Sequence, residues 1–191
     1  MVSVAIVYHS GYGHTAALAQ SVAAGIASVP GAQAHLIPVE DAEANTAILD
    51  GADAIVFGSP TYMGSVTAKF KEFMEVSSKT WYVRGWADKL AAGFTVSAGQ
   101  SGDKLNTLVQ MAIFAAQHGM VWVGNDLLPG NSSSTGSVAD LNRLSSYLGA
   151  MAQANSDQGS DVAPPQADRK TAEYLGKRVA EAAQRWARGR A

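Results

Sequence analysis

Six residues near the start of the chain, Ser10-Gly11-Tyr12-Gly13-His14-Thr15, sit between an apolar run and a helical pattern. Where a strand feeds a helix, the first N–H groups of the helix have no partner in the helix itself. The positive end of the helix dipole adds to them, so such a turn attracts phosphate. Gly11 and Gly13 let the backbone approach closely, and Ser10 and Thr15 add hydroxyl donors. No lysine follows the glycines, so the Gly-Lys-Ser/Thr ending of a P-loop is missing. Two rival readings of these residues stay open. Gly11-x-Gly13-x-x-Ala16 also satisfies a dinucleotide fingerprint, with Glu40 as its ribose partner at the end of the second strand. The turn also reads as a plain capped helix. The flanking hydroxyls favour a terminal monophosphate, which exposes more oxygens than a bridged pyrophosphate.

Two further turns carry residues of the right kind. In Ser59-Pro60-Thr61-Tyr62-Met63-Gly64, Pro60 stiffens the chain and Tyr62 offers an aromatic face. Ser97-Ala98-Gly99-Gln100-Ser101-Gly102 is small enough to run along a planar ring. Either turn alone is a weak signal, because an isolated tyrosine more often packs than stacks on a ligand. Their joint placement, after the third and fourth strands, is what points to a site. Paired carboxylates, a Ser–His–Asp set and metal-ligand spacing are not visible in the sequence, and no metal is expected. His9 and His35 have no constellation around them, and Asp50 and Asp53 read as turn residues flanking a strand.

The elements that would position these turns are apolar runs alternating with helical periodicity. Val2 to Tyr8, Ala52 to Gly58 and Lys89 to Ser97 read as buried strands, with a weaker one at Ala34 to Val39 and a fifth at Met120 to Val123. Leu18, Val22, Ile26 and Val29 mark the first helix, and Asp41 to Leu49 a short one. Val66, Phe70, Phe73 and Met74 mark another, Leu105, Leu108, Val109, Ala112 and Ala116 the next, and Ala172, Leu175, Val179, Ala183 and Trp186 the last. Near-continuous apolar strands separated by helices are the pattern of a parallel sheet covered on both faces. Ligands in such folds bind at the carboxyl ends of the strands, where the strand order reverses. Residues 124–166 are rich in Gly, Ser, Asn and Pro and are expected to form a long loop after the fifth strand.

Composition narrows the classes. The chain of 191 residues suits one domain, with 47% hydrophobic residues for a core and 16% charged residues. A net charge of −2 gives no basic surface, so nucleic acid is not an expected partner. The absence of cysteine excludes disulfides, thiol nucleophiles and Cys-ligated iron–sulfur clusters. The first residues lack a basic lead-in and a long apolar run, and no stretch has the length of a membrane span, so a cytoplasmic protein without a membrane partner is expected.

With these residues in place, the chain resembles the flavodoxin-like NAD(P)H:quinone oxidoreductases of the WrbA type. The resemblance rests on Ser10 to Thr15, on Gly58-Ser59-Pro60-Thr61-Tyr62-Met63-Gly64, on Trp81, on His118-Gly119-Met120 and on the loop from Asn142-Arg143 to Gly159. It implies an α/β flavodoxin-like three-layer sandwich over residues 1–191, with a five-stranded parallel sheet of order 2-1-3-4-5. It implies bound FMN, NADH or NADPH as donor, a quinone-like acceptor, ping-pong hydride transfer, and a homodimer or homotetramer. Ser10, Gly11, Tyr12, Gly13, His14 and Thr15 would hold the FMN phosphate. Pro60, Thr61, Tyr62, Met63 and Gly64 would border the ring, and Ser97, Ala98, Gly99, Gln100 and Ser101 would pass its polar edge. His118 matches a histidine near the flavin and is the candidate catalytic residue. Tyr12 would meet the nicotinamide and Trp81 the acceptor. The chain departs from the family where Thr61-Tyr62-Met63-Gly64 replaces the common Thr-Arg-Phe-Gly, and the segment around Asp41 to Leu49 is short. A flavodoxin-type single-electron carrier, a non-catalytic FMN-binding interaction protein and a nicotinamide-dependent dehydrogenase built on Gly11 and Glu40 are the alternatives. The low net charge weighs against the carrier, which relies on a charged docking face.

Overall fold

Side-chain alternation along the central strands decides the layering. In the computed structural model, which describes residues 1–189, β1 (Val2–Tyr8), β2 (Ala32–Pro38), β3 (Ala54–Pro60) and β4 (Leu90–Ser97) are parallel neighbours in the order β2-β1-β3-β4. All seven residues of β3 are buried, as its central place requires. Val4, Ile6, Val56, Phe94 and Val96 face one way and pack on α1 (His14–Ala27) and α6 (Gln166–Gly189). Their neighbours Ala5, Val7, Ile55 and Phe57 face the other way. There they meet α2 (Thr46–Gly51), α3 (Ala68–Val76) and α5 (Lys104–Gln117) through Leu49, Phe70, Phe73, Leu108, Met111 and Phe114. A short α4 (Ser78–Tyr82) follows α3.

The first face is made of small residues and lets helices touch. A Cβ on Gly25 of α1 would collide with the Glu173 carbonyl of α6, and one on Gly176 of α6 would collide with the Val22 carbonyl of α1. Backbone-to-backbone contact of this kind needs glycine on both sides. The second face is aromatic, and Phe57, Phe70, Phe73, Trp86 and Phe114 form a chain of tilted and edge-to-face contacts, with Phe73 stacked on Trp86.

The expected order 2-1-3-4-5 holds, with one correction at position five. That position is shared by two strands on the same edge of β4. β5 (Val121–Trp122) pairs with Leu90 and Ala91, and β6 (Ala150–Gln153) pairs with Phe94 to Ser97, both parallel. The 124–166 segment is therefore not a loop throughout. Residues 123–149 are an insertion that splits the fifth strand, and 150–153 return to the sheet. Ala150-Met151-Ala152-Gln153 is short, and alanine has little strand preference, so the sequence pattern hides it. The buried Asn142 staples the insertion. Its N–H donates to Thr171 Oγ1 at 2.8 Å, its side-chain amide donates to the Leu127 carbonyl at 2.9 Å, and its side-chain oxygen accepts from Ser146 N–H at 2.9 Å. Among the described residues no helix is long and apolar enough to cross a membrane.

Candidate functional site

β1 ends at Tyr8 and α1 begins at His14, so residues 9–13 form the first turn at the carboxyl edge of the sheet. Gly13 has φ 88° and leads into α1 as its N-cap residue, with no side chain of its own to cap it. Ser10 Oγ accepts from Ala16 N–H at 3.1 Å. The N–H groups of Gly11, Tyr12, Gly13, His14 and Thr15 find no acceptor among the described residues. Backbone donors left open at a helix start are the arrangement that can hold an anion. His14 Nε2 lies 2.8 Å from the Gln158 carbonyl, so this nitrogen carries the proton and ties the turn to the chain after β6.

The second turn is a tight reversal. Tyr62 and Ser65 exchange backbone hydrogen bonds of 3.0 and 3.1 Å, and Met63 and Gly64 between them have φ 49° and 76°. Both central residues at positive φ correspond to a type I′ turn. It leaves Met63 fully exposed. α5 holds the turn through Asn106 Nδ2, which donates to the Gly64 carbonyl at 2.7 Å, and through Gln110 Oε1, which accepts from Ser65 Oγ at 2.9 Å. Beneath it, Thr61 Oγ1 lies 2.8 Å from both Thr95 Oγ1 and Thr107 Oγ1. The Tyr62 ring meets Tyr12 edge to face at 6.2 Å, and its hydroxyl sits where a Cβ on Gly11 would come within 2.7 Å. Burial, with Tyr12 beside it, raises the Tyr62 pKa, so the phenol stays protonated.

The third turn is organised by a residue that the sequence reading passed over. Lys104, the first residue of α5, is 0% exposed. Its ammonium donates to Ser97 Oγ, the Gly99 carbonyl and the Gln100 carbonyl at 2.8, 2.7 and 2.8 Å. Desolvation lowers its pKa to about 8, against a smaller opposing pull from Asp168. Next to it, Arg143 of the insertion pairs with Asp168 of α6 through two bonds of 2.7 and 2.8 Å. Asp168 also accepts the Gln153 N–H at 2.8 Å, and Gln153 Nε2 donates to the Ala98 carbonyl at 3.0 Å. Insertion, β6, α6 and third turn are thus one polar network.

The three turns enclose a cleft of about 680 Å³, a size suited to a cofactor. It is lined by Tyr12, His14 and Thr15, by Pro60, Thr61 and Tyr62, and by Ser97 and Ala98. Its remaining wall, Ala154 and residues 156–159, follows β6 and was absent from the expected site residues. In the sequence it was signalled by its polar, glycine-containing composition and by its place in the Asn142-to-Gly159 loop that carries part of the family resemblance.

Two expected site residues are placed elsewhere within the chain. α5 starts beside the cleft and runs back for 14 residues, about 21 Å at 1.5 Å per residue, before reaching His118. His118 is 5% exposed and packs on Trp86 and Phe114, with ring centroids 4.5 and 4.8 Å away. Ser77 Oγ gives its hydrogen to the Met74 carbonyl, so His118 Nε2, 3.0 Å away, must donate to Ser77 Oγ. Nδ1 is then a buried acceptor without a partner. Burial drives the His118 pKa down to about 4, so the ring is neutral. Within its own chain His118 thus belongs to the core at the amino ends of the strands and does not line the cleft where it was expected. Trp81, 51% exposed on α4, is at that same end, after α3 has run back from the second turn. Glu40 contacts His9 at 3.7 Å and lines a different cavity, of about 470 Å³, which leaves the dinucleotide reading without its ribose partner in the cleft. Among the described residues no group of three or more His, Cys, Asp or Glu side chains is placed to hold a metal.

Comparison with known proteins agrees with this geometry. The family model described as NADPH-dependent FMN reductase matches residues 31–133. Flavodoxin FldP of Pseudomonas aeruginosa is 43% identical over 183 residues, covering 94% of this chain and 95% of that protein. An NAD(P)H dehydrogenase (quinone) of Solidesulfovibrio magneticus is 32% identical over 205 residues, covering 96% and 98%. Among solved structures, a WrbA-like flavodoxin from Agrobacterium tumefaciens aligns with a TM-score of 0.73 at 37% identity, covering 97% of this chain and 99% of that one.

Proposed function

The chain belongs to the flavodoxin-like, FMN-binding family of the WrbA type, and from that premise we propose that it is an NAD(P)H dehydrogenase acting on quinones. The observation that carries the proposal is the set of five unpaired N–H groups, residues 11–15, at the mouth of a cleft with an aromatic wall. Their fit to FMN follows from chemistry. The donors and the Ser10 and Thr15 hydroxyls suit a terminal phosphate. Tyr62 suits the face of a planar ring, and the third turn suits its polar edge.

Bound FMN would supply the redox chemistry, two-electron exchange between NAD(P)H and a quinone. The protein binds, orients and excludes water. Gly11 to Thr15 would fix the phosphate. Pro60 to Gly64 would border the ring, held at its level by Asn106, Gln110 and the threonine cluster. Tyr12 and Tyr62 would shape the space that nicotinamide and quinone occupy in turn, which makes the kinetics ping-pong. Trp81 lies at the far end of its own chain, so it would meet an acceptor only across an interface between copies. The apolar row Leu105, Val109 and Ile113, exposed along α5, supports such self-association into a dimer or tetramer.

The 43% identity to a relative named flavodoxin favours one second reading, a single-electron carrier. A spectrum of the FMN-loaded protein separates the two. Bands that bleach fully with NADPH or NADH and return with benzoquinone support the dehydrogenase. A one-electron-reduced form that accumulates during the titration, with no turnover of nicotinamide, overturns it in favour of the carrier.

A further inference from the structure

We infer that Lys104 is a positioning residue that sets the reduction potential of the cofactor, by holding the carbonyls of the third turn inward and charging the turn positive. The inference rests on the FMN reading above and deepens it.

Two observations carry it. The first is orientation. The ammonium gathers the carbonyls of Gly99 and Gln100 on one side of the turn. In a trans peptide the C=O and the following N–H point in opposite directions. The N–H groups of Gln100 and Ser101 therefore point away from Lys104, and neither finds an acceptor among the described residues. The turn is fixed in this form by Gly102, at φ 53°, where any Cβ would collide with the Ser97 hydroxyl that itself accepts from Lys104. The second observation is charge. Among the described residues no carboxylate lies within salt-bridge distance of Lys104. The nearby Asp168 is already paired with Arg143 in a bidentate contact. The cluster of Lys104, Arg143 and Asp168 thus carries one excess positive charge, buried directly behind Ser97 and Ala98 of the cleft wall. A fully buried lysine without a carboxylate partner is costly. A reaction that develops negative charge in front of it gives that cost a use.

The charge balance agrees. A hydride from NAD(P)H brings two electrons and one proton, and so adds one negative charge to its acceptor. Free N–H groups and a buried cation behind them stabilise that charge without moving, because they are in place beforehand. Below its pKa of about 8 Lys104 holds its proton, and it touches neither donor nor acceptor.

The test is the midpoint potential of bound FMN, measured by spectroelectrochemistry beside FMN affinity. Lys104→Met should weaken the binding of reduced FMN about tenfold more than that of oxidised FMN, which is about 30 mV lower for a two-electron couple. Lys104→Gln keeps donors for the same carbonyls without the charge, should move the potential in the same direction, and serves if the methionine variant does not fold. Lys104→Arg should restore the potential. Bound FMN whose potential is the same in all four proteins overturns the inference and leaves Lys104 a brace. Failure of the wild-type protein to bind FMN overturns the cofactor reading, and this inference with it.

Discussion

At the carboxyl ends of β1, β3 and β4, backbone donors lack partners, tyrosines stand exposed and two consecutive residues take positive φ. At the amino ends, aromatic rings interlock: Trp86 and Phe114 have centroids 4.5–6.3 Å from each other and from those of Phe73 and His118. Both ends hold aromatic and histidine side chains, yet they do different work. One end is left under-satisfied so that a ligand can complete it, whereas the other is nearly complete in itself. Residue type did not distinguish them. What did was the direction in which each helix leaves its strand. α3 and α5 start beside the cleft and carry Trp81 and His118 away from it.

Four perturbations separate the two ends. The largest expected effect is Trp86→Ala, which opens a cavity in the packed end and removes the indole N–H bond to Asp50 Oδ1 of 3.0 Å. It should cost about 3–5 kcal/mol in urea unfolding while leaving FMN affinity unchanged. Next is acid. His118 is neutral in the folded protein with its pKa lowered to about 4, whereas the unfolded chain titrates it at the ordinary 6.5. Its contribution is fully present above pH 6.5 and is lost as pH falls toward 4, where the unfolded state takes the proton first. The loss is roughly 3 kcal/mol. Unfolding measured against pH should show a slope in that window that His118→Gln removes. At the open end, Gly13→Val forces a branched residue to φ 88° beside Ser160. A strain of about 1–3 kcal/mol should weaken FMN binding by roughly tenfold or more in a fluorescence titration. The smallest effect is Thr61→Val, which removes the hydroxyl that contacts Thr95 and Thr107 beneath the second turn. It should cost about 1 kcal/mol in thermal unfolding and shift FMN affinity only slightly.

Much of this architecture was legible in the sequence because it follows period and punctuation. The apolar runs of β1, β3 and β4 and the helical spacing from His14 onward give a parallel sheet covered on both faces, the family resemblance implies its strand order, and the glycines and hydroxyls at residues 10–15 read as a phosphate turn. Three features were not legible, each for a physical reason. β6 is too short and too rich in alanine to stand out from a Gly- and Ser-rich stretch. Lys104 looks like a solvated charge at a helix start, since lysine is almost never fully buried, and only the fold closes the turn over it. His118 sits in the last turn before a Gly, where a helix dipole alone favours it, so its spacing carried no sign of which way the helix pointed.

The most direct test of the cleft is to titrate the purified protein, by calorimetry, with FMN and with riboflavin, which differ only in the phosphate. The donors of residues 11–15 should make FMN bind one to one and at least about 100-fold more tightly than riboflavin, since hydrogen bonds to a charged group contribute about 1.5–3 kcal/mol each. Equal affinity for the two, or no binding of either, would contradict a phosphate site at the first turn and the function proposed from it.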